Sequence, residues 1–199
     1  MKQLVLASAN PGKLRELAEI LSDLGHELLP QSEFNVPTVA ETGTTFVENA
    51  IIKARNASAH TGLPALADDS GIEVDALDGA PGVYSARFAG AAADDDANNA
   101  LLVEKLSAVP DTERTARYRA VIVLLRHAAD PSPLICEGSW EGMIQLERAG
   151  DGGFGYDPYF YLPELGCSSA QLSADEKNRL SHRGQALAEL KRKLADSDV

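Results

Sequence analysis

The stretch QLVLASANPGKLRELAEILSDLG, residues 3 to 25, decides the fold class. Residues 3 to 8 form an apolar run of strand length, which Asn10-Pro11-Gly12 interrupts. Leu14, Leu17, Ala18, Leu21 and Leu24 then recur at the spacing of one helix face until Gly25 stops them. A strand, a tight turn and a helix in that order predict an α/β protein. Downstream, residues 26 to 31 read as a second short strand. Thr45-Phe46-Val47-Glu48 is a capping box, which opens a helix reaching about Gly62. A short apolar strand then runs into Asp68-Asp69 and Ser70-Gly71, and residues 72 to 76 alternate as another strand. Asp94-Asp95-Asp96 suits the start of a helix bearing Leu101, Leu102 and Leu106.

Residues 115 to 126 alternate and then turn apolar, and runs at 133 to 139 and 142 to 147 follow across Gly138 and Gly142. These predict a three-stranded antiparallel meander. A loop is expected from 150 to 163, then a second capping box at Ser173-Ala-Asp-Glu176, and a last helix carrying Leu187, Leu190 and Leu194. Early strand-helix alternation followed by consecutive strands implies a mixed central sheet flanked by helices, in two lobes on one core. Residues 1 to 199 fit one domain, since the length is close to a single-domain prior and no linker or repeat interrupts it.

The chain is 44% hydrophobic and 24% charged, which is globular usage and excludes disorder. With 18 Lys+Arg against 30 Asp+Glu the net charge is -12, so no general grip on a nucleic-acid backbone is expected. A small polyanion is a different matter, because a few local cations and a divalent metal override the mean field at short range. Two cysteines, Cys136 and Cys167, form no disulfide framework. The short apolar run at the start is cut by Asn10-Pro11, and no run approaches membrane length, so a cytoplasmic, membrane-free protein is expected.

Four strings carry the chemistry. Ser8-Ala9-Asn10-Pro11-Gly12-Lys13 sits where a strand hands over to a helix, the place where backbone N–H groups and the helix dipole hold phosphate. It is not a Walker A loop, and by itself it reads equally well as a helix-start turn with an exposed lysine. Asp68-Asp69 offers hard oxygen ligands suited to Mg²⁺, or an acidic turn. Glu41 in its loop is the better further ligand, because Glu48 is occupied by its capping box. Lys53 follows on the same helix, where a solvated lysine is the ordinary expectation.

Gly150-Asp151-Gly152-Gly153-Phe154-Gly155 has the letters of a dinucleotide fingerprint, but the proline of Tyr156-Asp157-Pro158 prevents the helix such a site needs. Five of the chain's eleven aromatics, Phe154, Tyr156, Tyr159, Phe160 and Tyr161, fall within eight residues. A glycine-rich loop with such rings is a stacking platform for a base, or a satellite core cluster. Lys177, Asn178, Arg179, His182 and Arg183 concentrate positive charge near the start of the last helical region, where the dipole opposes it. The histidines have no zinc spacing, and no serine-hydrolase elbow is present.

Taken in order, SANPGK at 8 to 13, ADDSG at 67 to 71, GGFGYDP at 152 to 158 and EKNRLSHRG at 176 to 184 resemble the non-canonical purine nucleoside triphosphate pyrophosphatases, the Ham1-like house-cleaning enzymes. The resemblance implies a homodimer with a cleft between two lobes. It also implies Mg²⁺-dependent hydrolysis of dITP, XTP and ITP to monophosphate and pyrophosphate. Residue by residue, it implies triphosphate contacts from Ser8, Ala9, Asn10, Pro11, Gly12, Lys13 and Lys53. Metal binding falls to Glu41 and Asp69 with Asp68 beside them, Asp69 is the proton acceptor, and Ser70 is a neighbouring substrate contact. Base recognition falls to Phe154, Gly155, Tyr156, Asp157, Lys177, His182 and Arg183. One departure is visible: GCSSAQL at 166 to 172 stands where the family often has a lysine after the glycine and a glutamate before the leucine, which puts any supporting contact of Cys167 or Gln171 in doubt.

Overall fold

The computed structural model of the chain describes residues 2 to 8, 17, 18, 21 and 25 to 195. Strand β1 (Lys2–Leu6) stands where the apolar run predicts it. Leu17, Ala18 and Leu21 are helical, and both leucines are buried. The expected turn at 9 to 13 and the other positions of the expected first helix lie outside the described residues. β2 (His26–Pro30) pairs in parallel with one side of β1, Leu4 opposite Leu28. β3 (Ala65–Val74) pairs in parallel with the other side, Val5 opposite Ala65. Parallel neighbours require a crossover, and the chain from β2 to β3 includes helix α1 (Phe46–Thr61). Its start is the capping box read from the sequence: Glu48 N–H donates to the Thr45 hydroxyl at 3.3 Å, and Thr45 N–H to the Glu48 carboxylate at 3.0 Å.

Helix α2 (Asp95–Leu106) is capped by Asp94, whose carboxylate accepts from Ala97 N–H at 2.9 Å. β4 (Thr115–Leu125), β5 (Leu134–Ile144), β6 (Phe160–Leu162) and β7 (Cys167–Ser168) follow, then helices α3 (Ala174–Leu180) and α4 (His182–Ala195). The sheet order is β2-β1-β3-β4-β5-β6-β7, parallel around β1 and antiparallel from β5 to β7, so the sheet is mixed as expected.

Three local expectations are corrected. Asp68-Asp69 does not end a strand, because β3 runs unbroken through Ser70-Gly71 to Val74. Buried Leu66, Ala67, Ile72 and Val74 on either side outweigh the turn propensity of Ser-Gly. The runs at 133 to 139 and 142 to 147 are the single strand β5. Gly142 serves close approach rather than a turn, since a Cβ there would lie 2.6 Å from Phe160 Cζ and 2.7 Å from the Tyr161 carbonyl oxygen. The expected 150 to 163 loop contains β6, which pairs with β5 through Ile144 and Phe160. Gly142→Ala is therefore expected to destabilise the protein by about 1–3 kcal/mol through overpacking against buried Phe160, read as a lowered urea midpoint at unchanged m-value.

The chain forms two compact units. The first comprises Met1–Asp69, Ala120–Gly138 and Gln185–Val199, and the second Ser70–Arg119 and Ser139–Gly184. Leu6, Leu21, Leu66, Ile122 and Leu190 belong to an apolar cluster of the first unit. Ile72, Leu102, Leu106, Trp140 and Phe160 belong to one of the second. Periodicity reveals which positions are apolar, not which cluster they join. Among the described residues no helix is long and apolar enough to cross a membrane.

Candidate active site

In the first unit, helical geometry puts Asn49 and Lys53, four residues apart, on one face of α1. The Lys53 ammonium donates to Asp69 Oδ1 at 2.9 Å and lies 3.5 Å from Glu41 Oε1, so the mid-strand aspartate and the loop glutamate converge on one cation. The loop carrying Glu41 is fixed to the start of α1, since Gly43 N–H donates to Asn49 Oδ1 at 2.8 Å and Thr44 N–H to Glu48 at 2.8 Å. A Cβ at Gly43 would stand 2.6 Å from Glu48 Cβ, so this approach requires glycine. Burial raises the Asp69 pKa above the ordinary aspartate value, while Lys53 pulls the other way.

Asp69 and Asp68 are both buried, but consecutive side chains of a strand point to opposite faces. The two carboxylates therefore face opposite sides of β3, and the acid that shares Lys53 with Asp69 is Glu41. Ser70 follows on β3, partly exposed. Ser8 lies just past β1, which the Ala7 N–H to Leu66 carbonyl bond of 2.8 Å keeps beside β3. Ala9, Asn10, Pro11, Gly12 and Lys13 lie outside the described residues.

In the second unit the aromatic loop separates into an inside and an outside. Phe160 and Tyr156 are core, and the Tyr156 hydroxyl donates to the Ser85 carbonyl at 2.7 Å. Phe154 is 62% exposed, with the Lys177 ammonium 4.9 Å and the Arg183 guanidinium carbon 5.8 Å from its ring centroid. Asp157 holds this arrangement from beneath. Its carboxylate accepts from Phe154 N–H at 2.8 Å and from the Ser169 hydroxyl at 2.9 Å, and it pairs with the Lys177 ammonium. A Cβ at Gly153 would sit 2.1 Å from Asp157 Oδ2, and its φ is +75°, so the turn admits only glycine. Gly155 is held on both backbone groups by α2: its N–H donates to Asp95 at 2.6 Å, and its carbonyl accepts from the Asn99 amide at 2.9 Å.

The cationic cluster is not the opening of one helix. Lys177 and Arg179 lie in the last turn of α3, where the dipole favours them, and the chain turns extended at Ser181 before α4 begins. Gly184 permits the break, since a Cβ there would lie 1.8 Å from the Asn178 carbonyl oxygen. His182, buried in the first turn of α4, stacks on Tyr118 with centroids 4.7 Å apart at 9°. Gln171 caps a turn by accepting from Ser168 N–H at 2.9 Å, and Cys167 lies in β7.

Sequence reasoning missed Asn49, Asp95, Asn99 and Ser169. Asn49 alone carried a signal, as an amide on a helix face whose other buried members include Ala50, Ala54 and Ala57.

The pattern of the Ham1 family matches residues 4–193. The dITP/XTP pyrophosphatase of Vibrio parahaemolyticus serotype O3:K6 is 60% identical over 190 residues, covering 96% of this chain and 95% of that protein. That of Thioalkalivibrio sulfidiphilus is 60% identical over 192 residues, covering 96% and 98%. The solved structure of a HAM1 protein from Coxiella burnetii superposes with a TM-score of 0.96 at 52% identity, covering 99% of this chain and all of that one. With its strands, its sheet order and nearly its whole length accounted for in this way, the chain belongs to the Ham1 family.

Proposed function

We propose that this protein is a nucleoside triphosphate pyrophosphatase, hydrolysing the deaminated purine nucleotides dITP, XTP and ITP to the monophosphate and pyrophosphate. The observation that carries the reading is the convergence of Glu41, Asp69 and Lys53 on one position, in a chain whose relatives at 60% identity are named dITP/XTP pyrophosphatases. Two carboxylates facing one ammonium leave an excess of negative charge, and an all-oxygen donor set of this kind fits Mg²⁺. Glu41 and Asp69 would hold it, while Asp68, on the other face of the strand, is left out of the pair. When bound, the ion supplies neutralisation of phosphate charge and a more acidic water.

The protein's own groups do the rest. Lys53, Lys13 and the rest of the 8 to 13 segment bind phosphate oxygens, and Ser70 contacts the substrate. Asp69 accepts the proton of a water whose oxygen bonds to the α-phosphorus. As the bond from that phosphorus to the bridging oxygen breaks, pyrophosphate leaves. Phosphoryl transfer asks for positioning and charge stabilisation, so no covalent nucleophile is required. In the second unit, Phe154 supplies a stacking face for the purine, and Lys177, Arg183 and His182 surround its polar edge, with Gly155, Tyr156 and Asp157 shaping the loop. The proposal includes a homodimer in the cytoplasm, in keeping with two free cysteines.

A panel of canonical and deaminated nucleoside triphosphates with product analysis tests this reading. ITP, dITP and XTP should yield pyrophosphate, and turnover should vanish in excess chelator and return with Mg²⁺. Release of orthophosphate would move the cut to another bond. Binding without turnover would make the protein a nucleotide-binding module, and full turnover in chelator would remove the metal from the mechanism.

A further inference from the structure

Two buried polar atoms near Lys53 have no hydrogen-bond partner among the described residues: the amide nitrogen of Asn49 and Oδ2 of Asp69. Asn49 is fully buried, so an unused donor there is costly unless something else engages it. Its orientation is fixed by its neighbour, because Gly43 N–H donates to Oδ1 at 2.8 Å, which makes the other end of the amide the donor end. Asn49 lies one helical turn before Lys53 on the same face of α1, and Lys53 holds Asp69 at 2.9 Å, so the amide and the carboxylate border the same ammonium. Asp69 is divided in the same way: Oδ1 faces the Lys53 ammonium at 2.9 Å, and Oδ2 is unengaged. A donor and an acceptor so arranged match the two needs of a single water, which can accept from one and donate to the other.

We infer that Asn49 positions the attacking water: its Nδ2–H donates to a lone pair of the water oxygen while the water donates to Asp69 Oδ2. The remaining lone pair of the water forms the bond to the α-phosphorus. The shared proton passes to Asp69, and the electron pair of the breaking phosphorus–oxygen bond departs with pyrophosphate. The inference deepens the proposed function and rests on it. It also accounts for an amide on a helix face whose other buried members are mainly small and apolar. A rival role is open to the same residue, that of merely anchoring the Glu41 loop through Gly43, and the test must separate the two.

Three proteins are compared: wild type, Asn49→Ala and Asn49→Asp. The aspartate variant preserves the shape and an acceptor for Gly43 N–H but removes the donor, and it secures the test if the alanine variant folds poorly. For each, kcat with ITP and the thermal midpoint are measured. For wild type and Asn49→Ala, calorimetry gives the Kd of a non-hydrolysable α,β-imido analogue with Mg²⁺. Water positioning predicts a kcat at least tenfold lower in both variants, with the analogue Kd of Asn49→Ala within threefold of wild type. A kcat less than tenfold reduced in Asn49→Asp overturns the inference. So does a loss of analogue affinity in Asn49→Ala that matches its loss of kcat/KM, because that is the signature of loop anchoring. If wild type itself releases no pyrophosphate from ITP, the proposed function fails, an outcome distinct from an active wild type with equally active variants.

Discussion

Asp69→Asn is expected to lower kcat by about 10²–10⁴-fold, the usual contribution of a general base, with a further loss from the poorer metal ligand. The fold should survive, and stability should be unchanged or higher. Asparagine is nearly isosteric, and its carbonyl oxygen can still accept from Lys53, which retains Glu41 3.5 Å away. Burial raises the Asp69 pKa, so the folded state disfavours the charged carboxylate more than the unfolded chain does. A carboxyl with a raised folded pKa subtracts stability once the pH passes its unfolded value, and the neutral amide is free of that penalty. Activity lost while the thermal midpoint holds or rises is the pattern of a residue kept for chemistry at some cost to stability. A midpoint that collapses along with activity would make Asp69 a structural ion-pair partner, and near-normal kcat would assign the base elsewhere.

How much of this was legible in the sequence depended on how local the signal was. Capping boxes at Thr45 and Ser173 and the Asp94 cap were read correctly, because each is a contact between residues three apart. The strand breaks were misread where turn chemistry and tertiary pairing disagree. Ser70-Gly71 and Gly142 look like punctuation, yet both lie inside strands, the second because Phe160 occupies the space a side chain would fill. For the candidate site, the residue types are legible in the sequence, whereas the grouping of Glu41 with Asp69 follows from the family resemblance and not from any local spacing. Adjacent Asp68 and Asp69 suggested a pair, whereas the pleat separates them and a loop residue 28 positions upstream joins Asp69. Asp157 was read only as a contact for the base. Its partners Tyr118, Ser169 and Lys177 come from β4, the turn after β7, and α3, a grouping no local pattern encodes.

That grouping determines how base selectivity should be tested. Lys177 and Arg183 can only donate hydrogen bonds, so each suits the 6-oxo acceptor of hypoxanthine or xanthine and opposes the 6-amino donor of adenine. They are not equivalent in this structure. Lys177 is committed to Asp157, which is 2% exposed, whereas Arg183 has a buried Nε without a hydrogen-bond partner among the described residues. Lys177→Met would strand a buried carboxylate without its cation, a change that typically costs about 3–5 kcal/mol, so its kinetic effect would be mixed with unfolding. Arg183→Met leaves no such charge behind and is the cleaner probe. A charge-assisted hydrogen bond contributes about 1.5–3 kcal/mol, so kcat/KM for ITP should fall by roughly 10–150-fold. The rate with ATP, which offers no acceptor at that position, should change far less, and the ITP-to-ATP ratio should shrink accordingly. Phe154→Ala should behave differently, because the ring presents the same stacking face to every purine, and it should lower kcat/KM for ITP, GTP and ATP by similar factors. Measured side by side, a ratio that falls for Arg183→Met and holds for Phe154→Ala separates reading the base edge from holding the ring. A ratio unmoved in the arginine variant would leave Arg183 as a cation over Phe154 and nothing more.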